Sequence, residues 1–276
     1  MWKNKFSILL PKRKSESHKG DYGWVLIVAG SSGMSGAAIL ASRGSLRSGA
    51  GLTYLAVPKK LVDQVDLATP EVITLSFDQI KNIKPNVMVI GPGLGLSSNS
   101  VNLIKKLLTS HASYLTSFIL DADALNIIAK DPGLLKKAQA KAKVIITPHP
   151  GEMARLIKKK VEYVQANRRR VAKEFAQKNK CIVVLKGYQT IVADPCGELL
   201  QNSTGNPGMA TAGVGDVLAG MIGALVAQGI LPFEAATLGV YLHGLAGDLA
   251  ASEKGEYSLI ASDLVEKIPN ALRKTS

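Results

Sequence analysis

The stretch WVLIVAGSSGMSG, Trp24 to Gly36, decides the fold class. Its first six residues, Trp24–Ala29, form an unbroken apolar run, the pattern of a strand buried on both faces of a parallel sheet. Glycines at 30, 33 and 36 then make a tight loop, and small residues with helical spacing follow from Ala37 to about Ser48. Strand, glycine loop and helix in that order make one unit of an α/β protein, of the kind that meets dinucleotides or phosphates. The glycines do not spell G-x-G-x-x-G, and no acidic residue ends the next strand-like run, Leu52–Val57. As a dinucleotide signature the loop is weak, and a plain tight turn explains it as well as a ligand contact does.

The same pattern recurs outward along the chain. Val87–Ile90 runs into Gly91-Pro92-Gly93-Leu94-Gly95, Phe118–Leu120 into Asp121-Ala122-Asp123-Ala124-Leu125-Asn126, and Lys143–Thr147 into Pro148-His149-Pro150-Gly151-Glu152. Open α/β sheets bind ligands outside the carboxyl ends of their parallel strands. The four loops therefore predict one cleft, closed from the side by Asn206–Asp216. Asp121 and Asp123 are candidates for holding a metal ion or a hydroxyl, and equally for capping the helix Ala124–Lys130, which is the simpler role. His149, fixed between two prolines, has a ring that can donate to or accept from a ligand. Glu152 falls in the first turn of a helix, where compensation of the helix dipole is explanation enough. Val161–Lys178 predicts one long, charged, amphipathic helix. Cys181–Lys186 and Thr190–Ala193 flank Gly187-Tyr188-Gln189 as a hairpin or bulged turn. Asp194–Gly197 makes a second turn into Glu198–Gln201, so the sheet is expected to end in antiparallel hairpins. Lys186 stands at a strand end, either reaching a phosphate or lying free on the surface. His243, on an alanine-rich face of Phe233–Ser252, reads as core or interface. Residues 1–22 form a polar lead-in with one short helix, and Ala261–Lys274 is a terminal helix without a motif.

The chemistry concentrates in NSTGNPGMATAGVGDVLAG, Asn202 to Gly220. Here a glycine-rich loop runs straight into an apolar helix pattern. The unpaired N–H groups and positive dipole end of a helix start suit a developing negative charge, and Gly213 and Gly215 let a phosphate approach the backbone. Asp216 in that place is either an N-cap or a general base that takes a proton from a hydroxyl as the hydroxyl meets a phosphoryl group. No Walker motif, Ser-His-Asp pattern, H-E-x-x-H or C-x-x-C accompanies it, which leaves phosphoryl transfer from a nucleotide as the indicated reaction.

Composition bounds the alternatives. The chain has 276 residues, 46% of them hydrophobic, and a net charge of +13. Alternating strand-like and helix-like segments throughout favour one α/β domain over 1–276. Aromatics are only 5% and no zinc-finger or zipper spacing is present, so no nucleic-acid partner is expected. A basic surface that draws in phosphorylated small molecules accounts for the charge, with most of it on a solvated face. Cys181 and Cys196 make neither a disulfide framework nor a metal cluster, in keeping with a reducing, cytoplasmic compartment. No signal peptide and no membrane span are expected, since the longest uncharged run, Val217–Phe233, falls short of about 20 apolar residues.

Taken together, GNPGMATAGVGDVLAG, LKGYQT, TPHPGE, DADALN and GPGLG resemble the ADP/ATP-dependent NAD(P)H-hydrate dehydratases of the ribokinase-like superfamily. The similarity extends from about Lys19 to about Lys267. It implies a three-layer sandwich whose mostly parallel central sheet has helices on both faces and antiparallel hairpins towards one edge. It also implies a standalone form without a fused epimerase domain, paired functionally with a separate NAD(P)H-hydrate epimerase. By this resemblance Gly36-Ala37, Gly93, Gly95 and His149 contact the hydrated nicotinamide nucleotide (NADHX or NADPHX). Lys186, Gly187, Tyr188, Gln189, Thr190, Gly213 and Gly215 hold the adenine nucleotide. Asp216 touches the substrate and acts as the catalytic base. Mg²⁺ is expected with ADP or ATP, without nameable protein ligands, and family members are commonly homotetramers. The loop departs from the family pattern at Ala212 and Val214. Two other readings of the same residues are a small-molecule kinase of the superfamily, of thiazole or pyrimidine type, and a non-catalytic nucleotide-binding regulator.

Overall fold

The computed structural model describes residues 9–10, 12–109 and 114–275. Of the lead-in, residues 1–8 and 11 lie outside these; Lys19–Tyr22 makes one turn of 3₁₀ helix. The strands are β1 (Trp24–Val28), β2 (Leu52–Val57), β3 (Ile73–Ser76), β4 (Val87–Ile90), β5 (Ser117–Leu120), β6 (Lys143–Ile146), β7 (Ile182–Leu185), β8 (Ile191–Ala193) and β9 (Leu199–Gln201). They form one nine-stranded sheet in the order β3-β2-β1-β4-β5-β6-β7-β8-β9. Every pairing from β3 to β7 is parallel, and β7–β8 and β8–β9 are antiparallel, as the two turn signals predict. The chain runs outward from β1 to β3 and then returns past β1 to β4. The loops after β1 and β4 therefore part at a topological switch point, where such sheets open a crevice.

The helices are α1 (Ser35–Arg47), α2 (Val62–Ala68), α3 (Ser98–Thr109), α4 (Asp123–Lys130), α5 (Gly133–Gln139), α6 (Pro150–Ile157), α7 (Val161–Ala166), α8 (Arg168–Asn179), α9 (Val214–Ala227), α10 (Pro232–Lys254) and α11 (Ala261–Thr275). Side chains alternate across each strand, so β1 sends Val25 and Ile27 into one core and Leu26 and Val28 into the other. The first core packs beneath α1, α9, α10 and α11, and the second beneath α3 to α6 and α8. The three-layer expectation is met.

One sequence expectation here needs correction. The long helix over 161–178 is broken at Asn167, whose φ of −130° is not helical, giving α7 and α8. The alanine-rich helix α9 is buried within its own chain from Val217 to Val226, and His243, read as core or interface, belongs to the core.

The alanines and glycines of α9 have a different use. A Cβ on Gly220 would lie 1.9 Å from the carbonyl oxygen of Ala41 in α1, and one on Gly44 would lie 2.5 Å from that of Val217. A Cβ on Gly223 would strike Val89 of β4 at 2.6 Å. Glycine thus lets α9 lie in near backbone contact with α1 and close on the sheet. We predict that Gly220→Ala destabilises the protein by about 3 kcal/mol through overpacking that no side-chain rotation relieves. Gly36→Ala, where a Cβ meets nothing within 4 Å, should shift stability by less than about 0.5 kcal/mol. Urea unfolding of the two variants checks the contrast.

Candidate active site

The loops at the carboxyl ends of the parallel strands are stitched to one another by their backbones. Gly30 N–H donates to Pro92 O at 2.8 Å, Asp121 N–H to Ile90 O at 3.1 Å, Thr147 N–H to Leu120 O at 3.0 Å and Lys186 N–H to Pro148 O at 2.9 Å. Sequence placed these loops around one cleft, and the bonds hold them side by side.

Lys186, the residue after β7, is not a free surface lysine. Its side chain is 18% exposed, and Nζ lies 2.6 Å from Oδ1 of Asp121 and 4.0 Å from Oε2 of Glu152. Burial works against its charge, but the carboxylates of Asp121 and Glu152 outweigh this and raise its pKa. Gly215, in the first turn of α9, abuts the same ammonium, since a Cβ there would be 3.3 Å from Nζ. The β5, β6 and β7 ends and the start of α9 therefore converge on one lysine.

Neither aspartate of the β5 loop is a side-chain cap. The N-cap of α4 is Ala122, which makes no side-chain cap bond. Asp121 is 2% exposed and faces Lys186, while Asp123 Oδ2 accepts the N–H of Gly95 at 2.8 Å and Oδ1 accepts from Asn126 Nδ2 at 3.2 Å. The two acids, one residue apart, go to different partners across a contorted link: Ala122 sits at φ 46°, ψ −114°. A non-glycine residue there stores on the order of 1–3 kcal/mol of strain, which the surrounding bonds hold in place.

His149 is the N-cap of α6. Its Nδ1 accepts from the N–H groups of Gly151 at 3.0 Å and Glu152 at 3.3 Å, and its own N–H donates to Glu152 Oε2 at 2.7 Å. With Nδ1 taken as acceptor, the neutral ring carries its proton on Nε2, which lies 3.4 Å from Glu152 Oε1. Burial, then Lys186 and Arg155, lower its pKa and keep it neutral. Glu152, assigned from sequence to dipole compensation, is buried and belongs to the charged cluster, and burial raises its pKa.

Asp216 occupies the third position of α9, after the left-handed N-cap Gly213 (φ 87°), and makes no cap bond. The N–H groups of Val214, Gly215 and Asp216 have no acceptor within the helix. Burial, reinforced by Asp121 and opposed by Lys186, pushes the pKa of Asp216 up to about 7. A carboxyl that exchanges its proton near neutrality beside free helix-start amides can serve as a general base next to an anion.

The remaining predicted positions divide into two groups. Gly93 (φ 61°) lies against Ala37, where a Cβ would be 2.9 Å from the alanine methyl, and Gly95 joins Asp123. At the β7–β8 turn, Thr190 Oγ1 donates to Gly187 O at 2.9 Å. Tyr188, which is 88% exposed, and Gln189 line a cavity of about 460 Å³ together with Gln165, Arg168, Arg169 and Gln201. None of the acidic cluster lines it. Arg168, counted from sequence with a solvated basic run, donates to Leu185 O at 3.1 Å and Lys186 O at 3.2 Å and so secures the turn. Asp248, which no motif marked, accepts from Gly205 N–H and Asn206 Nδ2, each at 3.0 Å, and docks the glycine loop on α10.

Among the described residues, no three His, Cys, Asp or Glu side chains are arranged around one metal position. Asp121, Asp123 and Glu152 already have lysine or amide partners. This donor set does not fit an all-protein Mg²⁺ cage, and it does fit an ion carried on phosphates and completed by water.

Comparison with known proteins accords with this geometry. The Carb_kinase family, described as NAD(P)H-hydrate dehydratase, matches residues 25–270. The chain belongs to the NAD(P)H-hydrate dehydratase family. An ADP-dependent (S)-NAD(P)H-hydrate dehydratase of Neisseria meningitidis serogroup B is 39% identical over 91% of this chain and 85% of its own length. The bifunctional NAD(P)H-hydrate repair enzyme of Moorella thermoacetica is 40% identical over 96% of this chain, which spans 52% of that relative. The chain thus spans about half the length of such bifunctional relatives. The crystal structure of the ADP/ATP-dependent dehydratase from Bacillus subtilis, co-crystallised with ATP/Mg²⁺, superposes with a TM-score of 0.87. It has 32% identity and covers 99% of this chain and 97% of that one. Members of this family share the ribokinase-like sandwich described above.

The raised proton affinity of Asp216 has a stability signature. The folded chain binds this proton more tightly than the unfolded chain, whose carboxyl titrates near the ordinary 3.8. Stability is therefore full below about pH 4 and falls as pH rises through about 7. Asp216→Asn should unfold at higher urea than the wild type at about pH 8, by up to about 4 kcal/mol, and no differently at about pH 4.

Proposed function

We propose that this chain dehydrates hydrated NADH or NADPH (NADHX or NADPHX) back to the reduced cofactor, with ADP or ATP as phosphoryl donor. The observation that carries the proposal is the placement of Asp216: a proton acceptor poised near neutrality, one residue from Gly215 and beside the only N–H groups α9 leaves unpaired. Family membership supports it.

In this reading Asp216 takes the proton of the substrate hydroxyl as its oxygen forms a bond to the terminal phosphoryl, and the bond to the nucleotide leaving group breaks. The amides of Gly213–Gly215 donate to the phosphoryl oxygens as their charge changes, and Lys186, held by Asp121, adds a positive charge at the same point. The phosphate then leaves the ring carbon, driven by the ring-nitrogen electron pair. Loss of a proton from the neighbouring carbon restores the double bond. His149, with Nε2–H beside Glu152 Oε1, donates to the substrate together with contacts from Ala37, Gly93 and Gly95. Lys186 to Thr190 hold the nucleotide, with Tyr188 and Gln189 presenting their cavity to its adenosine part. Mg²⁺ would be held by the nucleotide phosphates, with the Asp121 and Glu152 carboxylates as partners through water, and supplies neutralisation of phosphate charge. The reading extends to one catalytic domain over 1–276, a cytoplasmic homotetramer and a separate epimerase that supplies the correct hydrate epimer. Among the described residues no helix is long and apolar enough to cross a membrane.

Incubation with hydrated NADH and ADP or ATP should restore NADH absorbance and release orthophosphate in equal amounts. Accumulation of a phosphorylated organic product with no NADH recovery would instead mark a kinase. Asp216→Asn should lower kcat about 10²- to 10⁴-fold while calorimetry still detects nucleotide binding. In the wild type kcat/KM should fall below about pH 7, where the base is protonated. A profile flat down to about pH 5 would remove Asp216 from that role.

A further inference from the structure

The turn that carries Asp216 is gripped from behind. His243, buried on α10, brings Nε2 to 2.9 Å from the carbonyl oxygen of Val214, the first residue of α9. A carbonyl only accepts, so Nε2 carries the ring proton. Burial lowers the pKa of this histidine to about 4, so the ring is neutral near pH 7. The Val214 carbonyl and the Gly215 N–H belong to one planar trans peptide unit, in which the two bonds point in opposite directions. Whatever holds the carbonyl also aims the N–H. Hydrogen bonding to the oxygen polarises the unit and strengthens the N–H as a donor. Gly215 of this same peptide abuts Lys186.

We propose that His243 is a positioning residue for phosphoryl transfer: by donating to Val214 O it aims and strengthens the Gly215 N–H that receives the transferring group. The proposal rests on the reading of this turn as the phosphoryl site. It differs from a packing role because packing needs only a ring of this volume, whereas positioning needs a donor at Nε2.

Three measurements decide it. In the wild type, long-range nitrogen–proton spectra of the His243 ring should show Nε2–H and bare Nδ1 at neutral pH. The opposite tautomer overturns the proposal without any variant. His243→Phe keeps the ring volume and removes the donor, and should lower kcat/KM about ten-fold, the effect of one lost hydrogen bond. His243→Gln, whose amide N–H reaches the same place, should stay within about three-fold of the wild type. In labelled protein the Gly215 amide proton should move downfield on ADP addition in the wild type and His243→Gln, and not in His243→Phe. Wild-type kcat/KM in His243→Phe, or equal losses in the two variants, overturns the proposal. Should His243→Phe fail to fold, a loss of ten-fold or more in His243→Gln, or a Gly215 amide there that ADP leaves unmoved, does the same. A wild-type Gly215 amide that ADP does not move overturns the phosphoryl-site reading itself, a separate failure from that of His243.

Discussion

The site depends on one ion pair. Lys186 at the end of β7 reaches past β6 to Asp121 at the end of β5, at 2.6 Å, with Glu152 from the first turn of α6 4.0 Å away. This contact spans three adjacent strands and is largely withdrawn from water, so it fixes their carboxyl ends relative to one another as well as balancing charge. The balance is incomplete. One ammonium stands among Asp121, Glu152 and Asp216, and burial above all, reinforced by the Asp121 charge, keeps the proton on Asp216 until near neutrality. The proton affinity that suits Asp216 to base chemistry therefore comes first from burial, with Asp121 of the same cluster adding to it against the opposing charge of Lys186.

Asp216 reaches this cluster because α9 can. Gly220 and Gly44 bring α9 and α1 into backbone contact, Gly223 lets α9 down onto β4, and the left-handed Gly213 turns the incoming loop into the helix. Larger side chains at these positions would lift the helix start away from the strand ends. The loop before it is tied to α10 through Asp248 and Thr204, whose hydroxyl donates to Tyr241 O at 2.9 Å. Backbone proximity, more than any one contact, gives the helix start its place beside Lys186.

Much of the fold was legible in the residue pattern. Fully buried parallel strands appear as uninterrupted apolar runs, and Leu52–Val57 and Val87–Ile90 were bounded to the residue. The turns at Gly187–Gln189 and Asp194–Gly197 marked the change to antiparallel pairing. What misled were residues whose one-dimensional context had a cheaper explanation. Asp121 and Asp123 looked like caps because they precede a helix, and Glu152 looked like a dipole partner because it opens one. Asn167 carries no proline or glycine to announce the break between α7 and α8.

By itself the sequence determined the layered α/β architecture, the gathering of loops at the strand ends, the glycine-rich helix start with Asp216, and the family. These are written in short-range patterns, namely apolar periodicity, turn residues and local motif spacing. Only the tertiary structure decided that Lys186 is paired, that Glu152 joins it, that His149 offers Nε2–H alone, and that His243 grips the turn ahead of Asp216. Each of those pairs residues 3 to 65 positions apart, and where they are distant their meeting depends on strand order and helix packing that no local pattern encodes. The charge state of a carboxyl follows from the same source, since it is set by whatever the fold brings near it and by how much water the fold removes.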